Sequence, residues 1–344
     1  MRSLCRHAII GPTSIDWANA HRALKHFAVR VLEYSVVIAD SDRYGGLTEN
    51  QTQWNQTGMH SNDLDLQQAL DVAVDAARRA GGILRHMLPF AVVREKSAND
   101  LVTDADIAAQ RAIAQVLLGA FPDHAFIGEE EGVGQLPTDS GSTQTKTVEE
   151  LKTGEESQWT WVVDPLDGTT NFAHGLNNFA VSIGLTKRRE AMLGVVYDPM
   201  ADELFTAIRG RGAWLNATRL RTSGCTEVSR ALVAASFPPK MHRDAPEIHQ
   251  FLNVLLASQS VRRLGSAALN LCYVGAGRLD GYWGGRLNAW DIVAGALVAT
   301  EAGATVVRHD GTSFDPWGGQ VLAAATDQLS RGLRDCLESP MRNG

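Results

Sequence analysis

The run Trp161-Val162-Val163-Asp164-Pro165-Leu166-Asp167-Gly168-Thr169-Thr170-Asn171-Phe172 carries the densest chemistry in this 344-residue chain. An apolar strand should deliver Asp164 at its end, Pro165 should force a turn, and Asp167 brings a second carboxylate into the same space. Gly168 lets the backbone pass close to a ligand. The loop offers two carboxylates, a carbonyl at Leu166, and amide donors at Gly168 and Thr169. Hard cations take carboxylate and carbonyl oxygens, whereas a phosphate takes amide donors at a helix start. One loop can therefore hold both. An isolated DxxDG string is more often a turn with two solvated aspartates, and it is the other acids that decide against that here.

Ile127-Gly128-Glu129-Glu130-Glu131-Gly132 ends a second apolar run with three acids between glycines. Trp290-Asp291 opens a helix rich in Ala and Gly, and Lys96-Ser97-Ala98-Asn99-Asp100-Leu101-Val102-Thr103-Asp104-Ala105-Asp106 places three acids at a strand-to-helix junction. Each has an ordinary reading: a solvated loop, a helix cap, a capping segment. Converging carboxylates need compensation, since two unit charges 4 Å apart repel by about 4 kcal/mol even at an effective dielectric of 20. Divalent cations are the usual remedy.

Lys96 to Asp106, Gly128-Glu129-Glu130, Trp161 to Phe172 and Trp290 to Gly295 resemble, in order, four signatures of the inositol monophosphatase family of Mg²⁺-dependent, Li⁺-sensitive phosphatases. The resemblance spans roughly Leu64 to Cys336. It implies an α/β chain folded as a layered α-β-α-β-α sandwich, a homodimer, and two or three Mg²⁺ ions. It makes Glu129, Asp164 and the Leu166 carbonyl ligands of a first ion, and Asp164, Asp167 and Asp291 ligands of a second, with Glu129 also near a weaker third. Asp106 would orient the Thr169 hydroxyl so that the pair positions the attacking water. The Gly168 and Thr169 amides would hold phosphate oxygens, with Lys96 as a cation on the phosphate side. Gly265, Ser266 and Ala267 match the segment lining the substrate side. The implied reaction is hydrolysis of inositol monophosphate, a small phosphorylated polyol, by water attack without a phosphoenzyme.

One position departs from the pattern. Inositol phosphatases carry a glutamate seven residues before the aspartate of the Trp-Asp pair, and here Gly284 stands in that place. Recognition of a sugar alcohol loses at least one hydrogen bond, roughly 0.5 to 1.5 kcal/mol net, unless Arg286 or Asn288 substitutes. A histidinol-phosphate or other sugar or nucleotide phosphatase on the same scaffold is the alternative, as is a regulatory, protein-binding relative. The bisphosphate nucleotidases usually follow Asp-Gly-Thr with Lys-Glu-Phe, where this chain has Thr170-Asn171-Phe172. No GxxxxGK[ST] loop and no G-x-S-x-G elbow is present, which removes the P-loop and α/β-hydrolase templates. Asp164 and Asp167 are three apart rather than two, against an aspartyl-phosphate mechanism.

Several elements must position these residues. The spacing predicts a helix capped by Asn62 or Asp63, with a stripe through Leu66, Leu70, Val74, Ala77, Gly81, Leu84 and Leu88 and a stop at Pro89. A second helix follows Asp104 and ends before Pro122. Strand-like runs then continue to Ile208 as an antiparallel sheet, and after Thr222 strands alternate with helices. This yields an N-terminal extension over 1–59, an α+β lobe over 60–220 carrying most metal ligands, and an α/β lobe over 221–344 carrying Asp291 and the substrate side. Residues 132–158 read as a polar loop over the mouth. The extension, with Arg2, Arg6, Arg22, Lys25 and Arg30, reads either as an organelle-targeting peptide or as residues ahead of a working start at Met59.

Lys plus Arg is 32 against 39 for Asp plus Glu, a formal net charge of −7, which argues against binding nucleic acid or anionic lipid through bulk charge. An anionic ligand needs local help from bound cations. The four cysteines are scattered without a CxxC pair, so neither a zinc site nor a disulfide framework is indicated. No apolar run is long enough to span a bilayer. The expectation is a cytoplasmic enzyme with a small-molecule substrate and no nucleic-acid or membrane partner.

Overall fold

The computed structural model describes residues 64–97, 100–130, 159–238 and 240–339. The expected N-terminal extension and the polar loop over 132–158 lie outside the described residues. From Leu64 onward the chain forms one compact unit, built as five layers.

The first layer is helices α1 (Leu66–Met87) and α2 (Asp104–Ala120). Between them runs a hairpin of β1 (Val93–Ser97) and β2 (Asp100–Thr103). The helices cover one face of a seven-stranded sheet of β3 (Ala125–Gly128), β4 (Trp159–Asp167), β5 (Ala180–Lys187), β6 (Glu190–Asp198), β7 (Glu203–Ile208), β8 (Gly212–Leu215) and β9 (Thr218–Arg219), in that spatial order. Only β3 and β4 pair parallel; the rest is an antiparallel meander. A short helix, α3 (Thr169–Ala173), follows β4 directly.

The second sheet has five strands in the order β11-β10-β12-β14-β13: β10 (Leu232–Ser236), β11 (Ser260–Arg262), β12 (Gly281–Gly285), β13 (Thr305–Val307) and β14 (Gln320–Ala324). Helices α5 (Ala267–Gly275) and α6 (Ala289–Glu301) lie between the two sheets, and α4 (Pro246–Ala257) and α7 (Asp327–Glu338) cover the outer face of the second. The core divides accordingly. Leu117, Trp161 and Ile183 fill the space under α1 and α2; Phe205, Leu269 and Val298 join the first sheet to the inner helices; Leu271, Tyr282 and Ile292 join those helices to the second sheet; Val254, Trp283 and Leu333 close the far side. This is the α-β-α-β-α sandwich expected. Between their ends the inner helices are largely apolar because both flanks are buried.

α6 lies close against the first sheet. A Cβ at Gly194 on β6 would stand 2.7 Å from the Ala294 carbonyl oxygen, so only glycine admits the helix backbone there. Ser182 of β5 donates to the Trp290 carbonyl at 3.0 Å, fixing the start of α6 beside β4 and β5.

Two local expectations are corrected. The cap of α1 is Asp65, whose carboxylate accepts from the Gln67 amide at 2.9 Å, rather than Asn62 or Asp63. Its fully buried face is Ala69, Ala73, Ala76, Ala77, Ala80, Gly81 and Leu84, with Leu66, Leu70 and Val74 only partly buried at its margin. Small side chains let the helix approach the sheet, and the large ones flank the contact. Pro165 does not turn the chain: β4 continues to Asp167 through a bulge, Asp164 pairing with Ser182 and Asp167 with Ala180. A proline, lacking an N–H, is accommodated where the ladder is already broken.

Candidate metal and phosphate site

The bulge in β4 lets both aspartates of the loop serve one pocket. Asp164, Leu166, Asp167, Gly168 and Thr169 line it, together with Glu129 just after β3, Asp291 from the first turn of α6, Gly265 and Ala267 at the start of α5, Ser236 and Phe237 at the end of β10, and Leu287 from the loop between β12 and α6. Its volume is about 180 Å³, below the roughly 300–1,000 Å³ of sites that enclose a drug-sized ligand. It suits an anion with its counter-ions, leaving the bulk of a larger ligand toward the mouth.

Each acid is held by its own element. Glu129 follows β3, and its amide donates to the Val163 carbonyl at 3.1 Å, extending the parallel pairing by one step. Behind it the buried Gln110 of α2 clamps the loop, its amide nitrogen donating to the Glu130 carbonyl at 2.6 Å while its oxygen accepts from the Glu130 amide at 2.9 Å. Asp164 accepts from the Leu166 amide at 2.9 Å inside the bulge. Asp167 caps α5 from another part of the chain, accepting from the Ser266 hydroxyl at 2.5 Å and from the Ala268 and Ala267 amides at 2.7 and 3.2 Å. Asp291 accepts from the Asn288 amide at 2.8 Å, part of a capping box at the start of α6. Gly168, at φ +97°, starts α3 in a conformation that L side chains resist.

Asp106 and Thr169 meet although 63 residues apart: the Thr169 hydroxyl lies 3.3 Å from Asp106 Oδ1 and 3.0 Å from the Leu166 carbonyl oxygen. Thr103 completes this corner. Its amide and hydroxyl donate to Asp106 Oδ2 at 2.8 and 2.5 Å, and its own hydroxyl oxygen caps α2.

Burial sets the electrostatics. Asp106, Asp164 and Asp167 are 0, 2 and 7 % exposed. Burial pushes Asp106 up to about 7 against the hydrogen bonds from Thr103, with Glu129 and Glu130 adding to the rise. Burial, then the Glu129, Asp167 and Asp291 charges, hold Asp164 well above the usual carboxylate range. Asp167 is pushed up to about 6 by burial, the bonds from Ser266, Ala268 and Ala267 limiting the rise. Three acids that resist ionisation in one place call for a cation.

The lining donors are carboxylate, carbonyl and hydroxyl oxygens, with no imidazole or thiol among them. That is the chemistry of a hard divalent ion such as Mg²⁺ rather than of zinc or copper. Among the described residues no three His, Cys, Asp or Glu side chains form a closed ion-binding cluster. The four acids line one pocket without closing on one point.

Of the remaining expected site residues, Gly265 and Ala267 line the pocket, whereas Ser266 is fully buried behind it, bonded to Asp167. Arg286 lies outside the lining, in the left-handed region at φ 57°, and pairs with Glu247 of α4 at 3.0 Å. Lys96 is on β1. Sequence reading missed Gln110, Ser236, Phe237 and Leu287. Thr103 was legible: the Thr-x-x-Asp spacing before an apolar helix is a capping-box signal. No helix among the described residues is long and apolar enough to cross a membrane.

Residues 65–339 match the profile of the inositol monophosphatase family. A protein named Nus factor SuhB from Pasteurella multocida is 38 % identical over 283 residues, covering 79 % of this chain and 98 % of the relative. Inositol monophosphatase 2 of Solanum lycopersicum is 40 % identical over 262 residues, covering 75 % and 94 %. Among solved structures, the inositol monophosphatase from Anabaena superposes with a TM-score of 0.67 at 34 % identity, covering 80 % of this chain and 96 % of that one. With its pocket, its fold and these likenesses in agreement, the chain belongs to the inositol monophosphatase family of metal-dependent phosphatases.

Proposed function

We propose that this protein is an Mg²⁺-dependent phosphomonoesterase and that inositol monophosphate is its leading substrate. The observation that carries the reading is one pocket lined by Glu129, Asp164, Leu166, Asp167, Gly168, Thr169 and Asp291, drawn from three separate stretches of chain. Glu129, Asp164, Asp167, Asp291 and the Leu166 carbonyl would hold two or three ions. Bound there, Mg²⁺ supplies charge neutralisation and Lewis acidity at the phosphate.

The protein's own groups do the rest. Asp106, held by the Thr103 amide and hydroxyl and buried behind the pocket, acts through Thr169. Accepting from Thr169, it turns the lone pairs of that hydroxyl toward an incoming water and fixes the water's direction of attack. The Gly168 and Thr169 amides hold phosphate oxygens, and Asp167, braced by α5, keeps its place as charge shifts.

The test is phosphate release by the full-length protein from inositol 1-phosphate and histidinol phosphate, with Mg²⁺ and with chelator. Mg²⁺-dependent release from inositol 1-phosphate, lost in Asp164→Asn and Asp291→Asn, is expected. Release undiminished by chelator would sink the mechanism, and preference for histidinol phosphate would move the substrate. The relative named Nus factor SuhB favours a second, regulatory reading. Under it, Asp164→Asn would leave capture of a protein partner from extract intact while abolishing any phosphatase activity. The homodimer and the cytoplasmic setting remain part of the proposal, checked by light scattering and by fractionation.

A further inference from the structure

The pocket has two chemically distinct walls. The wall from the first sheet and the start of α6 is acidic and suits cations and phosphate; the wall at the strand ends of the second sheet is Ser236, Phe237 and Leu287, neutral and largely apolar. Ser236 is its polar side chain, at the end of β10. Behind it, the Tyr282 hydroxyl donates to Ser236 Oγ at 2.9 Å. Tyr282 is fully buried, and burial pushes its phenol far above the usual range, so it stays a neutral donor. With a lone pair of Ser236 Oγ so engaged, the Ser236 hydroxyl hydrogen is left to point elsewhere, and the half-buried residue faces the pocket.

Gly284 belongs to the same arrangement. It pairs with Ser236 across β10 and β12 and lies two residues from Tyr282, on the same strand face. A Cβ there would stand 2.9 Å from the Tyr282 hydroxyl and 2.7 Å from Leu287 Cδ1. The space that a longer side chain at 284 would need is filled by the tyrosine hydroxyl and the leucine.

Given the phosphomonoesterase reading, on which this rests, we propose that Ser236 is the side chain that reads the alcohol half of the phosphate ester, and that Tyr282 is its positioning residue. The substrate class is a phosphate monoester whose alcohol carries a further hydroxyl placed to accept from Ser236. A single hydroxyl offers one directed donor, whereas a carboxylate accepts from two neighbouring hydroxyls at once. Phe237 and Leu287 pack the carbon skeleton on either side.

The experiment compares kcat and KM for inositol 1-phosphate, glycerol 2-phosphate and phenyl phosphate, the last lacking a hydroxyl on its leaving group, in the full chain with Mg²⁺. In Ser236→Ala and Tyr282→Phe the ratio of kcat/KM for the polyol esters over phenyl phosphate should fall roughly three- to tenfold, mostly through KM, the effect of one lost hydrogen bond. Ser236→Thr, which keeps the hydroxyl, should restore most of it. An unchanged ratio in both folded variants overturns the proposal, as does a wild type that cleaves phenyl phosphate but neither polyol ester. A wild type that cleaves none of the three overturns the phosphatase reading and this with it.

Discussion

Replacing Ser266 with alanine separates two roles for that residue. If it touches substrate, the change raises KM and leaves stability alone. Its geometry says otherwise: it is fully buried, donates to Asp167 at 2.5 Å and accepts from the Leu269 amide at 3.1 Å as the cap of α5. Losing a helix cap costs about 1 kcal/mol. Losing a hydrogen bond to a buried carboxylate costs a further ~1.5 kcal/mol at the low end of its range, because two amides still serve Asp167. The total of about 2.5 kcal/mol corresponds to a fall in Tm of about 4 °C for a domain of this size.

The loss has a pH signature. Asp167, raised to about 6 from 3.8, contributes stability that is fully present below its unfolded value and disappears as pH rises through about 6. Ser266 supports the charged form, so Ser266→Ala should destabilise more at pH 8 than at pH 4. For the same reason the variant should need more Mg²⁺ for half-maximal activity, since a proton competes better for Asp167. Thermal melts at both pH values, with and without Mg²⁺, read all of this. A melt within about 1 °C of wild type at pH 8, with KM for the phosphate ester raised, would refute it.

Three further outcomes are expected. With metal removed, stability should fall between pH 4 and pH 7 as the raised Asp106 and Asp167 lose protons, and Mg²⁺ should raise Tm far more at pH 8 than at pH 5; equal rises at both would contradict the burial account. Gly194→Ala should cost roughly 1–3 kcal/mol and weaken Mg²⁺ activation, because its Cβ would press on the Ala294 carbonyl oxygen from 2.7 Å and shift the helix bearing Asp291; a neutral result by melting and Mg²⁺ titration would show that α6 has slack. Gly284→Glu, which would restore the family's glutamate, should destabilise by a similar overpacking cost instead of improving use of inositol phosphate, and adding Leu287→Ala should recover part of the loss in a melt.

The sequence by itself located the acidic blocks and most of the elements. Helical spacing and proline stops located α1 and α2, alternation located the meander, and acidic blocks in family order pointed to Glu129, Asp164, Asp167 and Asp291 before any fold was known. These signals are local, carried by dihedral preference and periodicity within a few residues. Tertiary structure decided which groups meet. Besides its cap Ser266, the start of α5 gives two amides to Asp167, a hundred residues upstream of Ala267; the corner at Asp106 needs Thr169 from the start of α3; a side chain at Gly284 would meet Tyr282 and Leu287. Ser266 matches a segment expected on the substrate side, yet only the fold shows that it is buried and faces an aspartate. Partners across layers leave no periodic trace in the chain, because their contact depends on how two sheets and two helices stack, and that is set by packing volume over the whole core.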